Sequence, residues 1–166
     1  MTAPGDETAV TVAVAVEPDA AFDVFTREID QWWQRGPRYR QIVRGGIIAM
    51  EAGVGGRLLE SGDDGRIFVR GRVTLWEPPK RLVIEWIGAN FAPGEKTEVD
   101  VVFKPTRRGT EVTVRHSGWA NLRPDHPARH GRVGPAFSRS IGDWWGKALT
   151  GLREYVEARA SGAAWP

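Results

Sequence analysis

The stretch 136-AFSRSIGDWWGKALTGLREYVEA-158 decides the fold. Phe137, Ile141, Trp145, Ala148, Leu149, Leu152 and Val156 recur at three- and four-residue steps, which gathers them on one side of an α-helix. A helix over residues 136–158 would be about 34 Å long, enough to cross a whole sheet. An apolar stripe of that length needs an apolar surface to cover it. The residues that precede it offer one.

From residue 42 to residue 117 the pattern is that of antiparallel strands. Strands are expected over residues 46–50, 57–61, 67–76, 81–87, 97–104 and 110–117, with a further one over residues 8–16. The turns between them carry their own signals: Gly62-Asp63-Asp64-Gly65, Pro78-Pro79, a Gly88/Pro93/Gly94 loop, and the segment 105–109. Alternation assigns faces. Ile67, Val69, Val73 and Leu75 fall on one face, as do Leu82, Ile84 and Trp86; Val99, Val101 and Phe103; and Val112, Val114 and His116. The opposite faces carry Arg70, Arg72, Glu85, Glu98, Asp100, Lys104, Glu111, Thr113 and Arg115. One dry face and one wet face is the antiparallel signature. Between the first two strands, Ala21, Phe22, Val24, Phe25, Ile29, Trp32 and Trp33 have helical spacing, so one helix is expected over residues 20–33 with Asp19 as its N-cap. Residues 122–135 are irregular. The expected architecture is an α+β domain in which a curved antiparallel sheet of about six to seven strands wraps one long C-terminal helix.

At 166 residues the chain is expected to be one domain over residues 1–166, with 1–7 and 160–166 as frayed tails. There is no cysteine, hence no disulfide or thiolate chemistry. Residues 1–8 lack the basic start and apolar core of a signal peptide. No apolar run approaches a membrane span. A cytoplasmic setting is therefore expected, without membrane insertion. Formal net charge is +2, too small a field to attract nucleic acid over a distance. The one basic cluster, Arg35, Arg38, Arg40 and Arg44, reads as a solvated face, so no nucleic-acid partner is expected.

The order strand, helix, six strands, long helix resembles the START-like superfamily, also called SRPBCC or helix-grip. The bacterial branch related to the activator of the heat-shock-protein ATPase is the nearest likeness. It rests on VAVEPDAAFDVF (14–25), GRVTLWEPPKRLVIEW (71–86), TEVDVVFKPTRRGTEVTVRHSG (97–118) and WGKALTGL (145–152), together with Gly55-Gly56-Arg57. The resemblance implies an apolar cavity between sheet and helix that binds a small hydrophobic or amphipathic molecule. It also implies two other roles: a co-chaperone-like protein-interaction domain, and an enzyme of the polyketide cyclase kind. The expected partners are thus a small apolar ligand, a chaperone, or a second copy of the chain in a homodimer.

The inward faces nominate the lining: Trp86, Val101, Phe103, Val114, His116, Phe137, Ile141 and Trp145, with Trp33 and Phe91 completing an aromatic wall. Such sites are apolar with a few polar anchors. His116 is read as a lining histidine or a core histidine bonded to a backbone carbonyl rather than as a catalytic base. His126 and His130 are four apart, but without a third ligand or the zincin glutamate they do not read as a metal site. Gly53-x-Gly55-Gly56 lacks the ending of a phosphate loop and reads as a bend. No serine sits in a nucleophile elbow. No catalytic set, metal or cofactor is expected, and the domain is read as one that binds rather than reacts.

Overall fold

The computed structural model describes residues 5–162. Strand β1 (Thr8–Val14) leads into helices α1 (Pro18–Arg27) and α2 (Ile29–Trp32). Strands β2 (Gly46–Met50), β3 (Arg57–Gly62), β4 (Ile67–Glu77), β5 (Arg81–Trp86), β6 (Thr97–Thr106) and β7 (Gly109–Ser117) follow. Two 3-10 turns, Trp119–Asn121 and Pro127–Arg129, precede the long helix α3 (Gly134–Ser161). All neighbouring strands are antiparallel, in the order β1-β7-β6-β5-β4-β3-β2, and the sheet curls into a half-barrel around α3. This is the helix-grip architecture expected from the sequence.

The core forms where the predicted faces meet. Leu82, Ile84, Val99, Val101, Phe103, Val112 and Val114 are buried and pack with Trp145, Ala148, Leu149, Leu152 and Val156 of α3. Each buried Val, Leu, Ile or Phe side chain contributes about 1.5–3 kcal/mol of transfer free energy. Gly151 sets how closely α3 approaches α2: a Cβ there would lie 2.7 Å from the Trp32 carbonyl oxygen and from Gln34 Nε2. Gln34 Nε2 also donates to Lys147 O at 2.7 Å, tying the segment that follows α2 to α3.

Four expectations need correction. The helix expected over residues 20–33 is broken at Glu28, whose φ and ψ of −107° and 24° leave the helical region. The break lets the Trp32 indole fold back and donate to the Val24 and Phe25 carbonyls at 3.1 and 3.3 Å. Those carbonyls belong to the last turn of α1, which has no helical donors left for them. The N-cap is Glu17 rather than Asp19, because Pro18, with no N–H to satisfy, takes the first helical position.

The tails are more ordered than expected. Asp6 accepts from Ala120 N at 2.8 Å, Glu7 pairs with Arg115 at 3.1 Å, and α3 runs through Ser161. Residues 1–4 and 163–166 of the expected tails lie outside the described residues.

The most consequential correction concerns β4. Strict alternation put Arg70 on the wet face and Ile67 and Val69 on the face of Val73. The register slips between β3 and β4: Val69 pairs with Leu59 and Gly71 with Leu58, so Arg70 is the extra residue of a bulge. Its side chain turns inward, to within 5.0 Å of the Trp86 ring centroid and 5.4 Å of that of Trp33. Ile67 is left exposed. A second slip lies between Val73 and Leu75, so that Trp76 rather than Leu75 meets the core ring of Phe22. Gly71 is required at the first bulge, since a Cβ there would meet Glu85 O and Ile84 Cγ2 at 2.6 Å.

Candidate ligand-binding cavity

The sheet does not close fully on α3. Toward the N-terminal half of the helix a cavity of about 450 Å³ remains. Its inner wall is Arg70, Trp86, His116, Trp119 and Trp145, all buried. Ile141 and Trp144 line it from the helix, and Phe91 from the loop after β5. Around the mouth stand Arg38, Gln41, Asn90, His130 and Arg132, which are exposed. A volume of this size matches small-molecule sites, which run from about 300 to 1,000 Å³.

The aromatic wall is one connected stack. Trp86 has its ring centroid 5.7 Å from Trp145, 6.2 Å from Trp144 and 5.6 Å from His116, each near edge-to-face. Trp33 lies behind, 5.9 Å from Trp145 and 5.6 Å from Trp144. Edge-to-face packing satisfies the ring quadrupoles and holds each indole in place. Indole N–H groups tie the wall to its surroundings: Trp144 donates to Arg38 O at 3.0 Å, and Trp33 donates to Tyr39 O at 3.0 Å. Two buried polar atoms have no partner among the described residues, Tyr39 Oη and Trp119 Nε1.

His116 is committed on both sides. Trp145 Nε1 donates to Nδ1 at 3.1 Å, so the ring's hydrogen sits on Nε2, which reaches Thr97 Oγ1 at 2.7 Å. Full burial lowers its pKa to about 3, and the imidazole stays neutral. The backbone-carbonyl partner expected from the sequence is replaced by two side chains. With both nitrogens engaged, His116 orients Trp145 and leaves no free nitrogen to meet a ligand.

Arg70 is the buried charge of the site. Its Nη1 donates to Tyr39 O at 2.7 Å and lies 3.6 Å from Glu60 Oε2. Glu60 is itself buried and accepts from the backbone N–H groups of Gln41 and Ile42 at 2.8 and 3.2 Å. The pair therefore pins the segment that forms one side of the mouth. Desolvation pulls the Arg70 pKa down to about 10, which still leaves it charged at neutral pH.

The remaining basic and histidine residues divide. Arg40 of the basic cluster, expected on a solvated face, is buried: it donates to Asp30 Oδ1 at 2.7 Å and to the carbonyls of Asp30, Trp33 and Gln34. It clips the loop after α2. His126 is also buried, accepting from Ala128 N at 3.0 Å and meeting Glu95 Oε1 at 2.9 Å. That contact joins the loop carrying Phe91 to the turn carrying Ala128, two parts of the cavity rim. The Ala92 N–H and the His126 ring, both bonded to Glu95, hold its carboxyl below the usual carboxylate range.

Of the residues nominated from the sequence, Trp86, Phe91, His116, Ile141 and Trp145 line the cavity. Trp33, Val101, Phe103, Val114 and Phe137 are packed core behind it. Sequence reasoning missed Arg70, Arg38, Trp119 and Arg132. Arg70 required the bulge, for which Gly71 in mid-strand was the available signal. Trp119 and Arg132 lie on irregular segments, where periodicity says nothing.

A curled sheet gripping one long helix beside an open cavity makes this a START-like helix-grip domain. The chain belongs to the family described as Activator of Hsp90 ATPase homolog 1-like protein, whose model matches residues 15–157. Its fold is shared by solved bacterial structures of low identity. Protein MLL2253 from Mesorhizobium loti aligns with a TM-score of 0.63 and 21% identity, covering 91% of this chain and 96% of that one. A solution structure described as the Aha1 dimer from Colwellia psychrerythraea aligns with a TM-score of 0.60 and 18% identity, covering 91% and 96%. The AHSA1 protein from Silicibacter pomeroyi aligns at 0.59 and 16%, covering 92% and 99%. No curated protein sequence matches the chain.

Proposed function

We propose that this domain binds a small hydrophobic or amphipathic molecule in the cavity beside α3, in the cytoplasm. The observation that supports this is the open 450 Å³ space walled by Trp86, Trp144, Trp145, Trp119 and Phe91. Close packing is the normal state of a protein interior, and a space this large beside five aromatic rings forgoes contacts that a ligand would supply. A cyclase-like enzyme has less support, since both nitrogens of His116 are engaged. The test is a thermal-shift and tryptophan-fluorescence screen against fatty acids, sterols, flavonoids and polyketide-like aromatics. Binding tighter than about 1 mM with quenched or shifted indole emission is the expected result.

A second reading is favoured by the family description: a co-chaperone-like domain that acts on a heat-shock-protein ATPase through its surface. The two separate in one experiment. Stimulation of a purified chaperone ATPase by a cavity-filling Ile141→Trp variant, equal to that by the unmodified chain, together with no ligand in the screen, would select the surface reading.

A further inference from the structure

The charge around the cavity has one sign. Among the described residues that line it, Arg38, Arg70, His130 and Arg132 are basic and none is Asp or Glu. Arg70 is compensated from behind by Glu60. Arg38 and Arg132, at the mouth, have no ion pair among the described residues. Several arginines elsewhere are paired: Arg57 with Glu51, Arg81 with Asp100, Arg115 with Glu7, Arg159 with Glu28.

The backbones beneath the two mouth arginines are anchored although the side chains are unpaired. Arg38 O is held by the Trp144 indole at 3.0 Å. Arg132 N donates to Arg129 O at 3.0 Å. Arg129 is buried, with its guanidinium bonded to the carbonyls of Trp119, Leu122 and Arg123 at 2.7, 3.0 and 3.1 Å. Two unpaired cations on fixed backbone at the mouth of an apolar space suit a ligand with an apolar body and an oxyanion head. Little chain order remains to be lost on binding. A planar oxyanion also matches the two-donor fork of a guanidinium.

We propose that the cavity takes an amphipathic anion, its apolar body against Trp86, Trp144 and Ile141 and its carboxylate or phosphate head at Arg38 and Arg132. This rests on the binding function proposed above and names the chemical class of the ligand.

Isothermal titration of 1-naphthaleneacetate, its amide and 1-naphthylmethylamine into the full chain tests it, because the three share one apolar body. The carboxylate should bind about tenfold more tightly than the amide, and the amine more weakly than both. Arg38→Gln and Arg132→Gln should each weaken the carboxylate about two- to fivefold and leave the amide unchanged. Both residues are exposed, so folding should not be affected. Added salt should weaken only the carboxylate. Naphthyl phosphate in the same titration distinguishes the head: tighter binding than the carboxylate assigns a phosphate, weaker binding a carboxylate. If amide and carboxylate bind equally, the head-group assignment is overturned while the cavity reading stands. If neither this series nor a medium-chain fatty acid and its alcohol binds, both are overturned.

Discussion

His116 shows how one residue's chemistry follows from its neighbours. Imidazole ordinarily titrates near neutrality, but here burial favours the neutral ring and lowers the pKa from 6.5 to about 3. The unfolded chain takes up a proton on this ring below about pH 6.5, and the folded chain does not until about pH 3. The unfolded state binds more protons throughout that window, so stability is full above it and is lost as pH falls through it. The slope approaches 1.4 kcal/mol per pH unit for one group. We expect the His116 ring signals in an NMR titration to stay those of a neutral imidazole from neutrality down to about pH 4. A midpoint near 6.5 would show that the bonds to Thr97 and Trp145 are not both made. The same commitment makes His116 a support for the wall of the cavity rather than its chemistry.

At the scale of elements, α3 carries a contrast between two glycines that propensity alone would treat alike. Gly146 has open space around it, whereas a Cβ at Gly151 would meet the Trp32 carbonyl. Gly146→Ala should stabilise the domain by up to about 1 kcal/mol, the usual gain in a helix interior. Gly151→Ala should destabilise it by about 1–3 kcal/mol, because α2 and α3 must separate. Urea denaturation of the two variants checks both. Stabilisation by Gly151→Ala would mean that the α2–α3 contact yields easily. The bulge in β4 acts on the same scale. It turns a single arginine out of the wet row and into the cavity while the strands on either side keep their pairing.

At the scale of the molecule, sheet and helix share one principal core, and Trp145 stands where core and cavity meet. It is almost completely buried and touches Trp33, Trp86 and Trp144. Because it packs the core on one side and lines the cavity on the other, Trp145→Ala should cost about 3–5 kcal/mol. The transition should remain single, with an unchanged dependence on denaturant, since the smaller cluster of Trp119, Leu122 and Phe137 shares Ile141 with the principal core and unfolds with it. A loss under about 1 kcal/mol, measured by chemical denaturation, would mean that Trp145 serves only the cavity.

The succession of strands along the chain, the long helix and the dry faces of β5, β6 and β7 were legible in the residues themselves, whereas the order of the strands in the sheet was not. Period-two and helical spacing are local properties of the chain, and Leu82-Ile84-Trp86 or Ile141-Trp145-Leu149 carry them whatever surrounds them. Four of the five nominated residues that line the cavity, Trp86, His116, Ile141 and Trp145, sit on regular inward positions and followed from that periodicity, whereas Phe91 lies on a loop. Which inward residues would border empty space did not. Val101 and Phe103 have the same pattern as Trp86 but sit where α1 and α3 cover the sheet. Tertiary structure alone decided that Arg70 faces inward, that Arg40 is buried while Arg38 stands at the mouth, and that Trp119 joins the inner wall and Arg132 the mouth of one cavity. The reason is physical. A bulge breaks alternation by one residue, and long loops have no period. A cavity is defined by where packing stops, which depends on elements far apart in the chain.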